Sequence, residues 1–401
     1  MKIASALRTS IAMVSITLSP IVGASDDTSE QMFAVPCLEA SPETIDWASP
    51  SIPVLEGTET AVFQATPEAV YNNHTYIAHF DGKFWVMWSM HPSDGNEHGM
   101  RVRYATSADG TTWSSDAPIT PVPVGKRYVA RGFWARNGEL LALASFDSGR
   151  PPLSKQTGNW AAADLELQAF RWVKDRNHWE FAGIVFDDTI SNYPPRLLPS
   201  GEWLLDRRDH RFALSFLIGG RDRIDHWTAF SVPNPDERDF NEPDFLIRPN
   251  GEIAAHIRDN SRSKRIYRSV SRDNGKTWTA PAQTNFPDAT SKNFNLRLSN
   301  GHYILLSNPS PKGRIPLTMA VSPDGVSYRR IGIVAGAPGK PRIAGHDKGP
   351  GYTYPHALEH NGAVYVVFSR HRDDIVVKRI PLAAIEALRS PCANAAEEKG
   401  N

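Results

Sequence analysis

Six times along this chain a turn residue followed by glycine precedes an apolar, strand-like run. The instances are Asp81-Gly82 before KFWVMWS, Asn137-Gly138 before ELLALAS and Ser200-Gly201 before EWLLDRR. Asn250-Gly251 before EIAAHIR, Asn300-Gly301 before HYILLSN and Asn361-Gly362 before AVYVVFS complete the set. The glycines are 56, 63, 50, 50 and 61 residues apart. Such dipeptides between apolar runs close β-hairpins, because glycine takes the positive φ the turn needs. Units of this length hold several strands each, which predicts propeller blades and not a sandwich. The expected fold class is all-β, a six-bladed propeller of four-stranded antiparallel blades, with a degenerate seventh blade as the alternative. A strand within 53–64 would complete the last blade beside 375–381 and close the ring. The Ala/Leu-rich stretch 382–388 reads as a short terminal helix.

A second turn recurs inside the repeats. Ser107-Ala-Asp109-Gly110-Thr-Thr-Trp113, Ser271-Arg-Asp273-Asn-Gly275-Lys-Thr277-Trp278 and Ser322-Pro-Asp324-Gly325-Val-Ser-Tyr328 follow one pattern. It is the S-x-D-x-G-x-T-W turn called the Asp box, and it resembles the bacterial neuraminidase repeat. The middle copy is complete; each outer copy lacks one residue. The aspartate accepts backbone N–H bonds of the turn, the glycine supplies positive φ, and the aromatic packs between sheets. Asp109, Trp113, Asp273, Trp278 and Asp324 are therefore assigned to structure and not to chemistry.

Lys2 and Arg8 precede an apolar run over 11–22 that ends in the small residues Gly23 and Ala24. That is the layout of a secretory signal peptide, too short and too rich in Ser and Thr to span a bilayer stably. The domain reading is a leader over 1–24, an extension over 25–50, one propeller over 51–390 and a tail over 391–401. The expected location is secreted or periplasmic, with no membrane insertion once the leader is removed. Cys37 and Cys392 are the two cysteines. A bridge between them is allowed in an oxidising compartment and would tie the ends of a closed ring; two unpaired buried thiols are the alternative. Basic and acidic residues both number 44, so nucleic acid is not an expected partner.

The repeat also predicts where a site should lie. The first strand of each blade lines the central channel, and its start opens on one face. Counting back eight residues from each turn glycine reaches His74, Ala130, Tyr193, Pro243, Asn293 and Tyr354, with Arg131 beside Ala130. Loops meant for the same face carry His91 and His98, Arg207 to Arg211, Arg258 to Arg265, Lys312 with Arg314, and Arg370 to Arg372. Clustered arginine suits a carboxylate or sulfate, whose geometry its planar fork matches. Trp85, Trp88, Phe133, Trp134 and Trp203 read mostly as core between blades. Trp134, just after Arg131-Gly132-Phe133, is the candidate sugar-stacking platform. His91, Asp94, Glu97 and His98 share one loop without a recognised metal spacing. No cofactor is expected to be required, and structural calcium or zinc is left open.

HTYIAHFDGKFWVMWS, NEHGMRVRYATS, DATSKNFNLRLSNGHYILLSN and GYTYPHALEHNGAVYVVFS together resemble the sialidase-like propeller superfamily. That group includes the ulvan lyases and the α-L-rhamnosidases acting on rhamnosyl-glucuronate. The resemblance runs from about Asn72 to Leu382. It implies a catalytic histidine at His74, although the histidine pair many relatives carry is broken here by Asn73. It implies a proton-transferring tyrosine, for which Tyr193 is similar in setting, and an arginine about 16 residues later. Arg208 and Arg207 are the contenders, at 15 and 14 residues. The F/Y-R-I-P segment that opens a true sialidase is missing near the start; Arg314-Ile315-Pro316 follows Gly313 and falls in a different blade.

Three functions fit these residues. The leading one is β-elimination at a uronic acid in an anionic polysaccharide or oligosaccharide. A cation (Arg208 or Arg207, with Arg131) neutralises the carboxylate, and His74 and Tyr193 share the base and acid roles. Asn293, Tyr354 and Trp134 would help bind the glycan. The second is an exo-acting glycoside hydrolase, rhamnosidase-like or sialidase-like; the register positions hold no carboxyl pair, while Asp209, Asp244 and Glu97 lie near. The third is a glycan-binding propeller without chemistry.

Overall fold

A computed structural model describes residues 31–389 except 39–43, 94, 96–97, 150–163 and 346. The leader, Cys392, the tail, Asp94 and Glu97 lie outside the described residues.

Six four-stranded antiparallel sheets follow one another along the chain. Blade 1 runs Tyr71–Phe80, Lys83–His91, Arg101–Ser107 and Ala117–Pro118 from the channel outward. Blade 2 runs Arg127–Arg136, Glu139–Asp147, Glu166–Val173 and His178–Asp187. Blade 3 begins with Arg196–Leu197 and Trp203–Arg208, blade 4 with Phe240–Ile247 and Ile253–Asp259, and blade 5 with Phe294–Arg297 and Tyr303–Ser307. Blade 6 takes three strands from the end of the ring, Tyr352–His360, Ala363–Arg370 and Asp374–Pro381. Its fourth is Thr58–Phe63, which pairs antiparallel with the last, Thr58 opposite Arg379 and Phe63 opposite Ile375. The strand expected to close the ring does so, and the terminal helix spans Leu382–Glu386.

Apolar side chains alternate along these strands so that each blade buries both faces against its neighbours. The core is accordingly a series of clusters between blades. Trp85, Tyr104, Phe133 and Trp179 join blades 1 and 2, and Phe84, Trp88, Tyr365 and Val377 join blades 1 and 6. Met32, Phe33 and Trp47 from the N-terminal extension, with Ile52 just after it, cover blades 4 and 5 against Phe286, Leu305 and Tyr328. Cys37 is disulfide-bonded.

The Asp boxes form as written. In the complete copy Asp273 Oδ1 accepts the Lys276 and Thr277 N–H groups at 3.1 and 2.8 Å, and Trp278 stacks on Phe216 at 4.1 Å. Asp109 and Asp324 each accept two backbone N–H groups in the same way. Trp113 packs against the cluster between blades 6 and 1.

Candidate active site

The innermost strands of blades 1, 4 and 6 share a local break. Each carries a one-residue bulge, at Asn73/Tyr76, Asn241/Asp244 and Thr353/His356. The residue entering the bulge has positive φ in all three: His74 at 55°, Glu242 at 49° and Tyr354 at 55°. Positive φ is strained for such side chains, and bulges re-aim a side chain out of the alternating pattern. Here the re-aimed side chains border one cavity of about 220 Å³ at the channel mouth. Blade 2 adds Arg131 from its own bulge, and blade 3 adds Asn192.

Six arginines border that cavity: Arg127, Arg131, Arg208, Arg258, Arg314 and Arg372. Glu242 and Asp347 are the carboxylates beside them. Arg258 Nη1 donates to Glu242 at 2.8 Å, Arg127 Nε donates to Asp147 at 2.7 Å, and Arg372 donates to the Asp347 carbonyl. Arg131 is braced by Ser145 and Asn192 at 2.7 and 3.0 Å. Arg208 differs. Its guanidinium lies 3.9 Å over the Phe212 ring, and its buried Nε and Nη1 have no hydrogen-bond partner. Burial and the Arg131 charge push Arg208 down to about 10; burial, Arg258 and Arg372 do the same to Arg314. Cations that crowd one another in this way are poised to accept an anion.

His74 and Tyr354 meet between these arginines, with ring centroids 4.3 Å apart. Burial, then the charges of Arg131, Lys292 and others, holds the His74 imidazole well below its ordinary pKa, so it is neutral at physiological pH. Its Nδ1 has no partner. Burial and the Glu242 charge push the Tyr354 hydroxyl up to about 12, against the opposing pull of Arg258 and Arg314. Burial alone would raise Glu242, but the charge and hydrogen bond of Arg258 together with the charges of Lys292 and Arg314 outweigh it and keep the carboxyl ionised. The cavity thus holds a neutral base, a protonated acid, a carboxylate and an excess of cations.

Of the sequence-derived site residues, His74, Arg131, Arg208 and Tyr354 border the cavity, and four others do not. Tyr193 is fully buried, and its hydroxyl donates to the Asn293 carbonyl at 2.5 Å. Asn293 is itself buried away from the cavity. Arg207 donates to Thr189, Ser215 and the Asp188 carbonyl at 3.1, 3.2 and 2.9 Å, pointing along its own blade. Trp134 is wedged between Trp203 and Trp227, each at 5.6 Å, which leaves no face for a sugar. Asp244 pairs with Arg196 at 2.8 Å and is absent from the lining. His91 bonds the His98 carbonyl at 2.9 Å, and no group of three or more metal-ligating side chains occurs among the described residues.

The missed residues share a cause. The hairpins of blades 1, 2 and 6 turn in two residues, as Phe80↔Lys83 does. Those of blades 3, 4 and 5 close over longer loops, with Leu198, Arg248 and Leu298 N–H groups bonding the Glu202, Glu252 and His302 carbonyls. One extra residue sits between strand and glycine, so the eight-residue count lands one position late. Tyr193 should give way to Asn192, Pro243 to Glu242, and Asn293 to Lys292.

A family model described as a BNR repeat-like domain matches residues 154–366, more than half of the chain. No curated protein matches the sequence. A solved structure of a protein of unknown function from Dyadobacter fermentans has 15% identity, with 82% of this chain and 100% of that one covered and a TM-score of 0.62. The leech intramolecular trans-sialidase has 12% identity, covering 82% of this chain and 70% of that one at a TM-score of 0.62. A sialidase at 20% identity and TM-score 0.59 is covered over 34% of its length by 83% of this chain. At such identities the likeness is one of fold. The repeats, the ring and the family match together make this chain a member of the BNR repeat-like family of sialidase-like β-propellers.

Proposed function

We propose that this protein is an exported enzyme that cuts a glycosidic bond in an anionic glycan, holding a carboxylated sugar in the arginine-lined cavity. The observation that carries this reading is the His74–Tyr354 contact set among six arginines. A cavity of about 220 Å³ suits one sugar ring, which favours action at a chain end.

The protonation states favour β-elimination. The C5 proton of a uronate is weakly acidic while its carboxylate keeps full charge. Arg208 and its neighbours neutralise that carboxylate and stabilise the enolate-like charge as it develops. Neutral His74 takes the C5 proton, and the freed electron pair forms the C4–C5 double bond. The C4–O4 bond breaks, and the Tyr354 hydroxyl gives its proton to the departing oxygen. Tyr354 takes the part first assigned to Tyr193.

One observation favours a second chemistry. Glu242 acts electrostatically on Tyr354, and sialidases are glycosidases that use a tyrosine nucleophile in place of a carboxylate. Tyr354 would then attack the anomeric carbon while Glu242 receives its proton. The glycosidic C–O bond breaks, the leaving oxygen takes a proton from water, and a second water hydrolyses the glycosyl-tyrosine and lets Glu242 return the proton to the phenol. The Arg258 ion pair lowers the basicity of Glu242, which is why elimination leads. Digestion of uronate polysaccharides and sialosides separates the two. Elimination yields an unsaturated uronate that absorbs in the ultraviolet; hydrolysis yields only saturated ends. Glycan binding with neither product across a broad panel would identify a binding propeller and defeat the proposal.

A further inference from the structure

Lys292 is fully buried, one aromatic ring away from the cavity. Its Nζ donates to the Tyr76 hydroxyl at 3.2 Å. It lies over the faces of Tyr76, Tyr193 and Tyr354 at 4.3, 4.4 and 5.5 Å, the last of which borders the cavity. No carboxylate oxygen forms an ion pair with it among the described residues. A buried ammonium without a direct counter-ion is costly, and methionine would fill the same tunnel of rings without that cost. Packing therefore does not account for a lysine here.

Its charge reaches the pocket groups. Around it stand Glu242 and Asp244 from blade 4, Asp206 from blade 3 and Arg131 from blade 2. His74 and Tyr76 face it from blade 1, Tyr354 and His356 from blade 6, and Tyr193 from the entry to blade 3. The ammonium disfavours protonation of His74 and His356 and favours the ionised form of Glu242.

We propose that Lys292 is a positioning residue for the reaction, a buried cation that adds to the field favouring neutral His74 and ionised Glu242 from behind the tyrosine ring, without touching substrate. The proposal rests on the proton chemistry assigned to His74 and Tyr354 above. Burial, partly offset by Glu242, Asp244 and Asp206, brings Lys292 down to about 7. Its field is therefore present in mild acid, where His74 most needs protection from protonation, and fades as the pH rises through neutrality.

The test compares Lys292→Met and Lys292→Arg in the full chain. The first readout is the His74 imidazole titration by NMR, assigned by its loss in His74→Ala and requiring no substrate. In Lys292→Met the proton affinity of His74 should rise about threefold or more, while Lys292→Arg keeps the parent titration. The second readout is the pH profile on an acidic glycan. The acid limb of kcat/KM should move up with His74, kcat on that limb should fall by up to about the same threefold factor, and KM should change little. An unchanged His74 titration in a Lys292→Met protein that still melts cooperatively overturns the proposal. If Lys292→Met does not fold, Lys292→Gln removes the charge while keeping a donor for the Tyr76 hydroxyl, and the same titration must shift or the proposal falls. A parent without turnover counts against the proposed function, whereas the substrate-free titration still decides the role of Lys292.

Discussion

Thr75 Oγ1 donates to the Tyr354 carbonyl at 2.6 Å, joining the inner strand of the first blade to that of the last. Thr353 Oγ1 donates in the opposite sense to Asn73 Oδ1 at 2.7 Å, and Ser369 Oγ to the Asn72 carbonyl at 2.6 Å. These bonds lock the seam on either side of His74 and Tyr354. The two rings are held in contact by the joint that closes the ring, which is why their geometry carries so much of the functional reading.

His74→Ala and Tyr354→Phe should each lower turnover by about 10²-fold or more while glycan binding persists. Tyr193→Phe should do the reverse. It takes a hydroxyl from a buried carbonyl, so it should cost about 1–3 kcal/mol of stability and leave the rate near the parent's. Steady-state kinetics and denaturant melts on the three variants check the assignment. Turnover lost in Tyr193→Phe at unchanged Tyr354→Phe activity would restore the first choice of tyrosine.

The arginines should divide by partner. Arg258→Ala strands the buried Glu242 carboxylate and should destabilise by about 3–5 kcal/mol. Arg208→Ala strands nothing, because its Nε and Nη1 bond no protein group. It should leave the melting temperature nearly unchanged and weaken binding of a uronate oligosaccharide about tenfold or more. Calorimetric titration beside a thermal melt reads both quantities from the same two proteins.

Acid should weaken the fold through its buried histidines. Burial and the Arg268 charge bring His256 down from 6.5 to about 3. The unfolded chain takes that proton below about 6.5 and the folded chain does not. The stability His256 contributes is thus present above 6.5 and lost, at about 1.4 kcal/mol per pH unit, as the pH falls toward its folded value. Asp206 and Asp288, raised by burial to about 7 and about 6, act in the opposite direction over the same range. The comparison that isolates the histidine is parent against His256→Gln. Between pH 6 and 4 the parent's melting temperature should fall further than the variant's, and parallel curves would reject the assignment.

Asp273→Ala removes the acceptor of two backbone N–H groups in the complete Asp box, far from the cavity. It should cost about 1–2 kcal/mol, comparable to loss of a helix cap, with kinetics unchanged. A rate change without a stability change would mean these turns do more than hold hairpins.

The fold was legible because its signals are local. A turn glycine fixes a hairpin wherever it stands, and six of them at near-regular spacing leave few architectures. The site needed a second quantity, the distance from strand to glycine, and this differs by one residue between SerGly or AsnGly turns in longer loops and tight two-residue turns. In a strand one residue reverses the side-chain direction, so Tyr193 went under the floor while Asn192 faced the ligand space. His74 and Tyr354 were found because their hairpins are the tight kind. Glu242 and Lys292 were lost to the same one-residue shift, and the pairing of Arg258 with Glu242 follows from a contact that no single repeat encodes.

The strand Thr58–Phe63, made early, finds its partner only in Asp374–Pro381, made last. His74 and Tyr354 likewise come from opposite ends of synthesis. A chain made from its N-terminus must therefore be almost whole before the cavity is assembled, and until then its first strand is an unsatisfied edge. Clipping between blades would leave stable-looking fragments that are inert alone. Mixing such fragments should regenerate activity only as fast as that one outer strand docks, so catalysis itself would serve as the clock for completion of the circle.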